Sequence, residues 1–220
     1  MLLTKDVYTY IWNNPYANNS NTYIIRSDFT TLIDPGHRQY AGDLKKAMEK
    51  DGIGLEEIKL IINTHLHPDH FESACEFTSM GALSSAFLVN DNYLSEILSF
   101  FPQLGMEIPK FQIDLYLREG ELVLGDNLLK IFHTPGHSPC SMSIYFPEKK
   151  LIFAGDLIFL QGVGRTDLPY GSGKELKNSI EKMAELDLEF ILPGHGEIVQ
   201  GRENVLKNFN FIRQTFYNYI

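Results

Sequence analysis

Thr64-His65-Leu66-His67-Pro68-Asp69-His70 sets four side chains able to ligate a metal within six residues. The stretch follows an apolar run, Ile58 to Ile62, that reads as a buried strand. Three of the chain's seven histidines lie in it. Imidazole and carboxylate are donors that zinc and iron accept, and a tight bend after a strand can aim several of them at one point. A lone histidine or aspartate is usually a surface or hydrogen-bonded residue, a reading that a cluster this dense resists.

Three further candidates follow apolar runs of the same kind. His137 comes after Leu128 to Phe132, Asp156 after Leu151 to Ala154, and His195 after Phe190 to Leu192. Each is preceded directly by a glycine, which lets the backbone turn sharply and approach a site closely. If the strands share an orientation, their ends converge on one edge of the fold. His37, after Asp34-Pro35-Gly36, reads as a loop residue, and His133 as structural or supporting.

The remaining pattern mixes strands and helices. Val7 to Ile11 reads as a strand, Trp12 to Asn21 as an Asn-rich loop, and Thr22 to Arg26 with Thr30 to Ile33 as a hairpin. Helices are expected over Arg38 to Lys50, Asp69 to Met80, Tyr93 to Phe101 (stopping before Pro102), Glu175 to Leu186 and Glu203 to Tyr217. Ala86 to Val89 is a short strand, and Gln103 to Lys110 a loop. Phe111 to Leu117 and Leu122 to Leu124 alternate like exposed-edge strands. Met142 to Phe146 and Leu151 to Ala154 form a hairpin across Pro147 to Lys150, and Phe159 to Gly173 is a long glycine-rich loop. With many connections short, the pattern implies mixed sheets covered by helices in one domain, 1–220.

Composition narrows the partners. At 220 residues and 44% hydrophobic content, the chain can bury a sizeable core. A formal charge of −9 disfavours broad binding to nucleic acid or an anionic membrane. No apolar run spans a bilayer, and Met-Leu-Leu-Thr-Lys-Asp does not resemble a signal peptide. Cys75 and Cys140 are too far apart for a CxxC pair and are expected as reduced thiols of a cytoplasmic protein. Phe209, Phe211, Phe216, Tyr217 and Tyr219 make the last helix aromatic, which fits either core packing or a homodimer patch.

HxHxDH, a distant His, Gly-Asp and Gly-His, in this order from Asn21 to the last strand, resemble the metallo-β-lactamase superfamily of hydrolases. The resemblance implies an α+β fold, a four-layer αββα sandwich of two mixed β-sheets flanked by helices, with metals at one sheet edge. It implies that His65, His67 and His137 hold one metal, that Asp69, His70 and His195 hold the second, and that Asp156 bridges them. Two zinc ions are the expected cofactors, though the donor set also accepts iron or manganese. Two cations sharing a carboxylate can acidify a shared water, giving a metal-bound hydroxide for attack on a carbonyl carbon, with Asp69 orienting it and taking its proton. A closed structural zinc site favours four cysteine-rich ligands, whereas this set has seven ligands and no cysteine. Asp34, in Leu-Ile-Asp-Pro-Gly, occupies a position where the superfamily commonly has an acidic residue. It reads equally as a turn residue and as a carboxylate supporting a ligand histidine.

Gly162-Val163-Gly164-Arg165-Thr166-Asp167 resembles the glyoxalase II-like and persulfide-dioxygenase-like branches. Arg165 is then a candidate for binding a substrate carboxylate; the alternative is an Arg165–Asp167 pair that shapes the loop. Glyoxalase II enzymes carry an added C-terminal helical domain, and only one helix fits after His195, which argues against a glutathione thioester. The expected activity is therefore hydrolysis of a small-molecule thioester or ester, in the manner of a hydroxyacylglutathione hydrolase. The alternatives are a mononuclear iron persulfide dioxygenase using His65, His137 and Asp156, and a metal-binding scaffold without catalysis.

Overall fold

The computed structural model describes residues 1–220 except Pro15, Asn90, Leu104, Met106 and Glu107, and the side chains of Asp91, Asn92 and Leu98. They group into two units, Met1–Leu117 and Arg118–Ile220.

In the first unit, β1 (Leu2–Thr4), β2 (Val7–Tyr10), β3 (Thr22–Ile25) and β4 (Thr31–Ile33) pair antiparallel in sequence order. After helix α1 (Ala41–Lys50), β5 (Leu60–Ile62) joins β4 in parallel. The short helices α2 (Pro68–Phe71) and α3 (Ala74–Thr78) lead to β6 (Leu83–Phe87), and α4 (Asp91–Gln103) precedes β7 (Leu115–Leu117). β6 and β7 extend the sheet in parallel to seven strands. Because β4, β5 and β6 run the same way, the residues that follow them, Asp34 and Asn63 to His65 among them, leave one sheet edge. Met48 of α1, Ala74 and Phe77 of α3, and Ile53 and Ile58 pack on Ile24, Leu32 and Ile61 of the sheet. Fully burying each such large side chain contributes about 1.5–3 kcal/mol. Gly52, at φ +67°, closes α1 in a left-handed turn, and its N–H reaches the Glu49 carbonyl.

The second unit is a six-stranded sheet. β8 (Gly120–Leu124), β9 (Asn127–His133), β10 (Met142–Phe146) and β11 (Leu151–Gly155) are successive antiparallel neighbours. A two-stranded hairpin, β12 (Ile158–Phe159) with β13 (Gly162–Val163), and α5 (Gly173–Ala184) precede β14 (Phe190–Pro193). β14 adds parallel to β11; β15 (Val199–Gln200) closes the edge, and α6 (Arg202–Phe216) follows. β9 and β11 each run opposite to β10, so β9, β11 and β14 all point one way. His137, Asp156 and His195 therefore leave the same sheet edge, the convergence that the sequence pattern made conditional on strand orientation. Leu176, Ile180 and Met183 of α5 and Val205, Phe209 and Ile212 of α6 bury one side of each helix with Ile152, Ala154 and Ile191 of the sheet. Phe209 is buried, whereas Tyr219 is exposed, so the aromatic C-terminal segment divides between core and surface.

Several elements differ from the sequence expectation. The single helix expected over Asp69 to Met80 is broken between α2 and α3. Its helical bonds are diverted: the Asp69 carbonyl accepts from Ser20 N, the His70 carbonyl from Gly36 N, and Ser73 N donates to the Gly36 carbonyl. The helix expected to stop before Pro102 runs to Gln103, with Pro102 in its last turn. Part of the expected loop Gln103 to Lys110 falls on Leu104, Met106 and Glu107, outside the described residues. The strand expected over Ala86 to Val89 is Leu83–Phe87, and the glycine-rich loop from Phe159 carries β13. Among the described residues, no helix is long and apolar enough to cross a membrane, and Cys75 and Cys140 are not joined in a disulfide.

Candidate metal centre

In the first unit the ligand candidates are held from behind by one carboxylate. Asp34 leaves β4 at φ +52°, a left-handed conformation that a short polar residue tolerates better than most. Its Oδ1 accepts from the Thr64 main-chain N–H at 2.7 Å, and its Oδ2 from the Thr64 hydroxyl at 2.7 Å and from His70 Nδ1 at 2.9 Å. A proton fixed on Nδ1 would leave Nε2 as the atom of His70 able to ligate a metal. The Thr64 oxygen also lies 3.2 Å from His65 Nδ1, and a hydroxyl that donates to Asp34 can accept there. Asp34, Thr64, His65 and His70 are each no more than 1% exposed, so these bonds form away from competing water. Asp34 thus both ends its strand in a turn and hydrogen-bonds the candidate ligand His70, so the two readings of it are compatible.

His65 and His67 follow β5, and Pro68 starts α2, which places Asp69 and His70 on its first turn. The imidazoles gather: ring centres are 4.6 Å apart for His65 and His67 and 4.0 Å for His65 and His70. His67 also stands edge-on to Phe101 at 5.4 Å. Asp69 Oδ2 is 3.9 Å from His70 Nε2 and accepts from Asn18 Nδ2 at 2.6 Å. Sequence reasoning missed Asn18. The only signal was the density of amides in Asn13 to Asn21, which identifies donors without identifying what they reach.

The second unit holds the other three candidates. His137 Nδ1 donates to the Arg165 carbonyl at 2.7 Å, which again would leave Nε2 as the atom able to ligate a metal. Asp156 Oδ2 lies 3.5 Å from His137 Nε2 and 3.5 Å from His195 Nε2. Those separations are long for hydrogen bonds. They match the edge of a tetrahedral coordination shell, about 3.4 Å for metal–donor bonds of about 2.0–2.1 Å. The donor set therefore fits metal ions on distance as well as on chemistry. Close backbone approach maintains it: a Cβ on Gly164 would overlap the Asp156 carbonyl oxygen and come within 3.2 Å of His137 Cβ. His195, with a side chain 25% exposed, is the most open of the three, and Phe159 stands edge-on to it at 5.9 Å.

The Arg165 guanidinium pairs with both carboxylate oxygens of Asp167 at 2.6 Å, and both side chains are exposed. The Asp167 carboxyl is held down to about 2 chiefly by that hydrogen bonding. This is the loop-shaping interaction weighed for Arg165 from sequence, and the residue's main chain meanwhile serves His137. His133 Nε2 lies 2.8 Å from the Pro139 carbonyl and His37 Nδ1 2.8 Å from Glu72 Oε2, so both histidines have structural partners.

Residues 15–195 match the family model of the metallo-beta-lactamase superfamily. The chain is 35% identical over 194 residues to a probable metallo-hydrolase of Methanocaldococcus jannaschii, covering 84% of this chain and 91% of that protein. It is 31% identical over 179 residues to the hydroxyacylglutathione hydrolase GloC of Haemophilus influenzae, covering 75% of this chain and 79% of that protein. Among solved structures, a protein crystallised in a di-iron-bound form matches with a TM-score of 0.70 at 26% identity, over 89% of this chain and 93% of that one. Two mixed sheets with helices, the ordered ligand motifs and these matches place the chain in the metallo-β-lactamase superfamily.

Proposed function

We propose that this protein is a dinuclear metal-dependent hydrolase of small thioesters. His65, His67 and His137 would hold one ion, Asp69, His70 and His195 the other, and Asp156 would bridge them. This joint assignment rests on family membership and on the donor geometry within each unit. Ions bound there would supply Lewis acidity, acidifying water and offsetting charge that develops on the substrate carbonyl oxygen. The protein's own groups do the rest. Asp69 orients the attacking water and takes its proton. Asp34, through His70 and Thr64, and the Arg165 carbonyl, through His137, keep the imidazoles in the ligating tautomer. A thiolate leaves readily, so no strong general acid is needed.

The observation that carries the dinuclear reading is the position of Asp156 Oδ2, 3.5 Å from Nε2 of both His137 and His195. The persulfide-dioxygenase-like branch retains the same motif residues, so the number of metal ions per chain, rather than the ligand set, separates it from this reading. Similarity to GloC supports an acyl thioester as the substrate class and returns hydroxyacylglutathione to the candidates, against the sequence expectation that disfavoured a glutathione thioester.

The test is a hydrolysis panel of hydroxyacylglutathione and simpler thioesters, run on wild type and Asp69→Ala. Wild type is expected to turn over at least one, and Asp69→Ala to lose about 10²–10⁴-fold in kcat, the usual worth of general acid–base catalysis. Undiminished hydrolysis by Asp69→Ala would refute the proposed role.

A further inference from the structure

We infer that Asn18 is a positioning residue for Asp69, dividing the work of its two carboxylate oxygens. The inference rests on the role of Asp69 proposed above.

Asn18 sits in a loop tied down on both sides. The Trp12 indole Nε1 donates to the Ala17 carbonyl at 2.7 Å, and the Trp12 ring packs on Tyr40 with centres 4.4 Å apart. Trp12 N donates to Asn21 Oδ1 at 2.9 Å, and Asn19 Oδ1 accepts from His37 N at 2.6 Å. Ser20 N donates to the Asp69 carbonyl at 3.0 Å, so the loop is bonded to the main chain of the residue that Asn18 addresses by its side chain. The main chain around residue 18 is thereby fixed without any help from the Asn18 amide.

The amide has a different target. Its Nδ2 donates to Asp69 Oδ2 at 2.6 Å, a short charge-assisted bond. That oxygen is also the one 3.9 Å from His70 Nε2. Asn18 thus pins Oδ2 on the side of His70, where it would serve as a ligand beside that imidazole when metal is bound. Carboxylate rotation is then restricted, and Oδ1 becomes the oxygen that takes the proton from water. Asn18 itself is exposed and has no other side-chain bond among those described. Replacing it removes an orienting bond without opening the core.

The experiment compares wild type with Asn18→Ala, Asn18→Gln and Asn18→Asp. Readouts are kcat and KM on a thioester, zinc retention against a chelator, and the thermal midpoint of the metal-free protein. Asn18→Ala is expected to lose about 10–100-fold in kcat or in zinc affinity, the usual effect of removing a group that orients a ligand. KM and the metal-free midpoint should stay at the wild-type values. Asn18→Gln, which keeps the amide donor, should recover part of the loss. Asn18→Asp, which sets like charges together, should lose more than Asn18→Ala. Unchanged kcat and zinc retention in Asn18→Ala would overturn the inference. So would a loss that tracks a lowered thermal midpoint and is equal in Asn18→Gln, since that describes a loop tie only. If wild type hydrolyses no thioester, the functional reading fails separately. Zinc retention then decides alone, and equal retention in wild type and Asn18→Ala overturns the role of Asn18.

Discussion

Asp34→Asn changes one oxygen to an amide nitrogen and nothing in the shape of the side chain. The native carboxylate accepts three hydrogen bonds, from Thr64 N, the Thr64 hydroxyl and His70 Nδ1. Asparagine tolerates the φ of +52° at this position, so the backbone should hold. If its oxygen keeps the bond from Thr64 N, its NH2 group takes the place of Oδ2. There it can donate to the Thr64 hydroxyl, but it faces a protonated His70 Nδ1 donor to donor. The conflict is relieved when His70 moves its proton to Nε2, which removes the lone pair that a metal needs. The reoriented Thr64 hydroxyl can then donate to His65 Nδ1, 3.2 Å away, and push His65 toward the same tautomer. Each hydrogen bond to a charged group is worth about 1.5–3 kcal/mol, and each 1.4 kcal/mol is about tenfold in affinity. Asp34→Asn should therefore bind metal about 10–100-fold more weakly, the range usual for groups that orient ligands. Chelator competition with zinc measures this, and circular dichroism of the metal-free protein checks the fold. Wild-type zinc affinity in a folded Asp34→Asn protein would show that Asp34 does not set the histidine tautomers.

Gly164→Ala should drive a methyl group into the Asp156 carbonyl and against His137. A loss of about 1–3 kcal/mol of stability is expected from overpacking, together with weaker zinc binding; denaturant unfolding of the metal-free protein measures the first. Glu181 accepts from Arg213 at 2.8 and 2.6 Å and from the Tyr217 hydroxyl at 2.7 Å, tying α5 to α6. Hydrogen bonding from Arg213, more than any other contact, holds its carboxyl below the ordinary 4.5. A depressed carboxylate stabilises fully above its unfolded value, and that contribution fades as pH falls through the folded one. The thermal-midpoint difference between wild type and Glu181→Gln should thus be largest near neutrality and shrink below about pH 4.5; a pH-independent difference would contradict the ion-pair account. Arg165→Lys should break the two-pronged bond to Asp167 while leaving the carbonyl that serves His137 in the backbone. Zinc affinity should stay near the wild-type value, and a large loss would show that the exposed pair holds the ligand loop.

The candidate ligands were legible because their chemistry is local. Each follows a short apolar strand and a turn, and Leu128 to Phe132, Met142 to Phe146 and Leu151 to Ala154 all lie within observed strands. What the sequence could not supply is what long-range bonds decide. The stretch from Asp69 to Met80 has helical pattern throughout, yet Ser20 N, Gly36 N and the Gly36 carbonyl capture the bonds that would have continued the helix. β1, β12, β13 and β15 have only two or three residues each, too few for an alternating pattern to register. Asn18 was hidden for a similar reason, lying 51 positions from Asp69 in a loop whose composition says only that amides are present. Asp34 was half legible: Pro35-Gly36 explains a turn, whereas its bond to His70 requires β4 and β5 to be parallel neighbours.

The central claim, a shared carboxylate between two ions, is tested most directly by counting metal per chain in wild type and in His195→Ala, alongside oxygen uptake on a persulfide. The account predicts two ions per wild-type chain, fewer in His195→Ala, thioester hydrolysis, and no oxygen uptake. One iron per chain, unchanged by His195→Ala and accompanied by oxygen consumption on the persulfide, would contradict it.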